Sequence, residues 1–107
     1  MIITNFNNAI PKIYDQQRNI NPKVYARYFI DNSDWEWLVL EYSKLQRLFF
    51  GLILPENKLA YFTVEELNKI EFEYGVKVEL DYEFKVTELK DIQNDRVAWV
   101  LFVIVIN

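Results

Sequence analysis

From Val76 to Val86 apolar and charged residues alternate without a break: Val76, Val78, Leu80, Tyr82, Phe84 and Val86 share one parity, and Lys77, Glu79, Asp81, Glu83 and Lys85 the other. Side chains on an extended strand point alternately to opposite faces, so the pattern predicts one long β-strand with a buried face and a charged face. Its charged face would carry Glu79, Asp81 and Glu83 in a row, spaced about 6.6 to 6.8 Å apart.

The same reading divides the rest of the chain. Residues 1–22 hold Asn5, Asn7, Asn8, Asn19, Asn21, Pro11 and Pro22 and read as an irregular arm, in which Ile10 to Ile13 can pack an apolar side chain or two onto the domain. Strands are expected at Val24 to Ile30, Trp35 to Tyr42, Arg47 to Leu54 and Leu59 to Phe62, from their β-branched and aromatic content. Turns fall at Asp31-Asn32-Ser33-Asp34, Ser43 to Gln46 and Pro55 to Lys58, giving an antiparallel meander. The period then changes. Thr63-Val64-Glu65-Glu66 has the form of a capping box, Val64, Leu67 and Ile70, with Phe72 as a further candidate, give a helical stripe, and Gly75 suits a left-handed stop. Thr87 to Gln93 reads as a turn or helical turn, and Val97 to Ile106 as a closing apolar strand. The sum is an α+β fold: a mainly antiparallel sheet of about five to six strands with one short helix at about 64–73, residues 23–107 forming one domain behind the arm.

Composition narrows the chemistry. The chain has 107 residues, half of them apolar, with three Trp, seven Tyr and eight Phe, enough for one core. It contains no Cys and no His, which removes thiolate nucleophiles, the commonest general base and the commonest metal ligands. Gly51 and Gly75 are its only glycines, too far apart for a phosphate-cradling loop. No enzyme, cofactor or metal is therefore expected. The longest apolar run, ten residues, is too short to span a membrane as a helix, and no basic leader opens the chain. A cytoplasmic protein is the expectation.

The net charge of −4 is uneven: ten acids stand against five bases between Glu56 and Asp91, but five against six between Met1 and Pro55. That balance disfavours nucleic-acid binding and favours a basic protein partner. The row Glu79, Asp81 and Glu83 mimics the spacing of backbone phosphates, and Glu65, Glu66, Glu71 and Glu73 on the helix could extend it into an acidic decoy surface. The alternative is an ordinary solvated sheet face with Lys77 and Lys85 paired across strands. In Asp34-Trp35-Glu36-Trp37 the carboxylates and the rings fall on opposite faces, so a carbohydrate-type pocket is rejected. A hard-cation loop at Asp31, Asn32 and Asp34 lacks the spacing. Tyr25, Tyr28, Tyr61 and Tyr82 with Arg27 and Arg47 form a weak aromatic–basic set for single-stranded nucleic acid. Trp99 and Phe102, on opposite faces of the terminal strand, are the candidate interface strand, the alternative being a core strand or a homodimer edge.

A resemblance adds a setting. Lys23-Val24-Tyr25-Ala26-Arg27-Tyr28-Phe29, Trp37-Leu38-Val39-Leu40-Glu41, Phe50-Gly51-Leu52, Leu59 to Leu67 and Gly75 to Asp81 together resemble domain of unknown function 2958, over about residues 23–89. Ala60 departs from that pattern where it favours glycine, and nothing in it matches Gln93 to Asn107. The family is of small bacterial proteins carried on plasmids, phages and integrated elements, and it implies no catalytic residue. Taken together, the expectation is a non-enzymatic protein of a bacterial mobile element or phage that covers a basic surface of a host or defence protein, such as a nucleic-acid-binding nuclease, in the manner of an anti-CRISPR inhibitor. The alternative is an assembly module that oligomerises through an edge strand.

Overall fold

The β-branched and aromatic runs between Lys23 and Thr63 do form a meander, and the computed structural model describes it within residues 1–96. The elements are β1 (Lys23–Val24), β2 (Ala26–Ile30), β3 (Glu36–Ser43), β4 (Leu48–Leu54), β5 (Lys58–Thr63), α1 (Val64–Tyr74), β6 (Val78–Leu80), β7 (Thr87–Glu88) and α2 (Leu89–Arg96). An antiparallel sheet of order β5-β4-β3-β2-β6 is flanked by the small pair β1–β7. The fold class is thus α+β, with a second helix where a turn or helical turn was expected. The terminal run 97–106, with Trp99 and Phe102, lies outside the described residues. Among those described, no helix is long and apolar enough to cross a membrane.

The long alternating strand is the main correction. Only Val78–Leu80 pairs, with Ile30, Phe29 and Tyr28 of β2. The strand stops because Asp81 turns its side chain on its own backbone: Oδ1 accepts from Glu83 N at 3.0 Å, and Phe84 N donates to the Asp81 carbonyl at 3.3 Å. An aspartate that bonds the amide two residues on offers the chain a turn in place of a ladder. Pairing resumes only at Thr87, with Val24 of β1.

α1 follows the capping logic in part. Thr63 is the N-cap, its hydroxyl accepting from Glu66 N at 3.0 Å, and Gly75 closes the helix at φ 62° while donating to Glu71 O. The return bond from the Glu66 side chain is not formed, and Glu66 stays exposed.

The sheet is covered on both faces. Ala26, Tyr28, Trp37, Val39, Phe49, Phe62, Val78 and Leu80 pack against Val64 and Leu67 of α1, with Ile2, Phe6 and Ile10 of the arm joining them. Phe49 stacks on Tyr42 at 4.7 Å and on Phe62 at 5.1 Å, while Phe6 meets Tyr42 edge-on at 5.3 Å. Tyr28 donates its hydroxyl to the Ile3 carbonyl at 2.6 Å, and burial pushes its pKa far above the ordinary tyrosine range. On the other face Leu38, Leu40, Leu52 and Leu54 meet Leu89 and Ile92 of α2.

β3 carries a bulge between Val39 and Glu41, across from Gly51 and Phe50. On the other side of β3 the pairing with β2 ends at Val39, and at Leu40 the arm supplies a partner. Gln16 Nε2 donates to Leu40 O at 2.7 Å and to Lys23 O at 2.8 Å, while its Oε1 accepts from Lys23 N. The Glu41 carboxylate, 0% exposed, accepts from Tyr14 N, Gln16 N and Gln17 Nε2 at 2.9, 2.6 and 3.1 Å. Tyr14 sits at φ 78°, and around it the Tyr14 and Gln16 amides donate to the carboxylate while the intervening Asp15 N donates to Lys12 O.

Candidate functional site

The turn after β2 shapes one end of the helix-covered face. Asn32 takes a left-handed backbone (φ 59°), and Ser33 Oγ donates to Ile30 O at 2.7 Å while accepting from Trp35 N at 3.1 Å. Ile30 N then donates to Trp35 O at 3.2 Å, restarting the extended chain. Trp35 and Trp37, two apart, share a face and stack at 5.9 Å with 23° between their planes. Ile70 and Tyr74 reach the same place from α1, and the left-handed Gly75 directs the chain so that Val76 closes it. The result is a cavity of about 450 Å³ lined by Ile30, Ser33, Trp35, Trp37, Ile70, Tyr74 and Val76.

Its floor and rim differ. Trp37 is 3% exposed, whereas Trp35 is 39% and Tyr74 72% exposed; Phe72, two residues from both Ile70 and Tyr74 on α1, lies outside the lining. Ser33 spends its hydroxyl on the turn, so the lining presents rings and alkyl groups. Polar groups stand outside: Asp31 and Asp34 are exposed on the turn, and Glu73 lies on α1 with Lys69 3.6 Å away. An opening of this kind takes an apolar side chain and favours positive charge around it.

The acidic residues singled out in the sequence do not form one patch. Val78 and Leu80 face α1, so Glu79, on the opposite parity, lies on the face turned away from the helix that carries Glu65, Glu66, Glu71 and Glu73. Asp81 pairs with Arg27 at 3.1 Å, and Arg27 also bonds Glu36 at 2.6 Å and lies 4.5 Å over the Phe29 ring. Glu83 is exposed in the turn that ends β6. The charged row is therefore broken into one strand residue, one ion-paired residue and one turn residue. On α1, Arg47 bonds Glu65 at 2.5 Å, and that hydrogen bond draws the Glu65 pKa below the usual carboxylate range. Burial pushes Glu71 up, but bonds from the Met1 amino group and Val78 N outweigh it, leaving its pKa lowered. Glu66 and Glu83 are the exposed members outside any ion pair among the described residues.

Trp35 and Trp37 do point away from Glu36, which is buried on the other face, as the alternation requires. The aromatic–basic set is dispersed: Tyr28 is buried under α1, Tyr61 sits on β5 with its hydroxyl accepting from Gln17, and Arg27 is held in its ion pairs. Among the described residues no group of three or more carboxylates is arranged to hold a metal ion. The sequence reading missed the cavity because three of its seven lining residues, Ile70, Tyr74 and Val76, come from a distant part of the chain. Helical spacing of Ile70 and Tyr74 and a glycine before Val76 were the available signals.

No protein-family model matches the chain, and no curated protein or solved structure is found similar to it. The resemblance to domain of unknown function 2958 rests on the motifs quoted for it.

Proposed function

We propose that this chain is a non-enzymatic binding protein that docks on a basic surface of another protein through the Trp35–Tyr74 cavity. The supporting observation is the pairing of a half-open apolar cavity, rimmed by exposed Trp35 and Tyr74, with exposed Asp31 and Asp34 on its turn. Large aromatic anchors set beside charge are the composition of binding hot spots. The occupant is a segment with an apolar side chain between lysines or arginines. The inhibitor role on a nucleic-acid-binding nuclease belongs to the same reading, since a protein seated on a basic channel displaces its nucleic acid.

A photo-crosslinking residue at position 74, used in bacterial lysate at low and high salt, tests this. The expected result is a basic protein joined at position 74, lost with Trp35→Ala and lost as salt screens the contact. A partner that persists through both changes, or one that crosslinks equally from position 59 on the opposite face, overturns it. Oligomerisation through the β5 edge, where Leu59 and Tyr61 are exposed, instead gives crosslinks between two copies of the chain.

A further inference from the structure

A second, larger cavity lies at the other end of the sheet, between the arm and the β3–β4 hairpin, with a volume of about 1030 Å³. Its charge runs against the rest of the molecule. Lys12, Lys44 and Arg47 line it and no carboxylate does, in a chain with 16 acids and 12 bases. Lys12 and Lys44 make no ion pair among the described residues, while Arg47 shares its guanidinium with the exposed Glu65. Asn5 and Asn8 add amide groups to the wall.

Rings line the same space. Tyr14 is 72% exposed, held in place through its own backbone by the Glu41 bond, and Tyr42 lies beneath, braced by Phe6 and Phe49. A cation cluster next to a free aromatic face suits a flat ring that carries a negative group: the ring stacks on Tyr14 and the anion meets the lysines. The volume holds a molecule of mononucleotide size and reaches the upper end of ordinary small-molecule sites, roughly 300–1,000 Å³.

We infer that this cleft binds a phosphate-bearing aromatic small molecule, for which a nucleoside monophosphate is the probe. The site is separate from the docking cavity and opposite to it in charge, so it stands whether or not that reading does. The phosphate is held by Lys12 and Lys44 at the mouth, with Arg47 shifting from Glu65 to join them. The ring lies on Tyr14. Because the arm forms one wall and the hairpin the other, binding also ties the two together.

Amide-resolved nuclear magnetic resonance on the full chain tests this, titrating a nucleoside monophosphate, the matching nucleoside and inorganic phosphate. Shifts confined to residues 4–14 and 42–48, strongest for the monophosphate, are expected. Lys12→Gln with Lys44→Gln should weaken binding about tenfold or more for each charge removed. Tyr14→Asn, a residue that tolerates the left-handed backbone, should weaken the monophosphate while leaving phosphate unchanged. Absence of shifts at millimolar probe, shifts mapping elsewhere, or binding indifferent to both lysines overturns the inference. Binding by single-stranded oligonucleotides alone also overturns it, since that makes the face a nucleic-acid surface. Unchanged spectra outside the arm and hairpin confirm that the variants remain folded.

Discussion

Replacing Glu41 by glutamine keeps the shape of a buried side chain and removes one acceptor, so it measures what the carboxylate does. In the parent, Oε1 accepts from Tyr14 N and Gln17 Nε2, and Oε2 accepts from Gln16 N at 2.6 Å. A glutamine has one oxygen. Whichever way its amide is turned, an NH2 group faces a backbone N–H, the buried one of Gln16 or the part-buried one of Tyr14. Leaving such a donor unsatisfied costs about 1–3 kcal/mol, and the bonds that survive fall from charge-assisted to neutral strength, roughly half. Regaining the hydration cost of burying a carboxylate offsets part of this. Gln17 is exposed and its amide can turn to water, so its bond contributes little. The net is about 3 kcal/mol lost, concentrated in the arm.

The loss extends beyond residue 41. Gln16 leaves its seat with the arm, and its side chain is what satisfies Leu40 O, Lys23 O and Lys23 N. Two measurements apply: urea unfolding for global stability, and hydrogen exchange of the Gln16 amide for arm opening. A loss of about 3 kcal/mol corresponds to about a hundredfold faster exchange at Gln16 if the arm opens as its own unit. Glu66→Gln, exposed on α1, is the control and should stay within about 0.5 kcal/mol of the parent. If Glu41→Gln matches that control in both assays, the carboxylate does not hold the arm and the reasoning fails.

Gly51→Ala should cost more than about 3 kcal/mol, beyond ordinary overpacking, because a Cβ there lies 2.1 Å from Leu38 O and 3.2 Å from Val39 Cα, backbone atoms of the bulged strand. A thermal melt within a few degrees of the parent would show that β3 and β4 can part at the bulge. The lowered pKa of Glu71 means the folded state favours its ionised form, so its contribution is complete above the unfolded carboxylate pKa, about 4.3, and is lost as pH falls through the lower folded value. Stability of Glu71→Gln should therefore fall less steeply than the parent's below about pH 5, and parallel curves would contradict the assignment.

How far the sequence carried the structure depended on whether a signal was local. The strands and turns of the meander lie within a residue or two of the sequence reading, because adjacent runs pair through short connections such as Asp31–Asp34 and Pro55–Lys58. Thr63 and Gly75 mark α1 at both ends through their own side-chain and backbone chemistry. Glu41 and Gln16 were invisible as a pair. Their bond spans 25 residues and joins the arm to β3 beside a bulge, a contact that no pattern of apolar and polar positions encodes. Both cavities are likewise made by segments far apart in sequence, Trp35 with Tyr74 and Lys12 with Lys44.

The alternation from Val76 to Val86 failed for a reason that bears on function. Period two states which residues would share a face if the chain were extended, and it does not state that extension wins. At Asp81 a local bond from Glu83 N and a distant one from Arg27 hold the carboxylate at the strand end, and aspartate is poorly suited to strands. The residue that made the charged row attractive is thus the one that breaks it. Glu79 stays on the sheet and Glu83 swings into the turn, so no phosphate-like spacing survives between them. Negative charge is left dispersed over α1, the β2–β3 turn and the β6 turn, while the cleft is lined by Lys12, Lys44 and Arg47 with no carboxylate among its lining residues. A partner drawn by the net charge of −4 therefore has reason to approach the Trp35 end, and an anion has reason to avoid it.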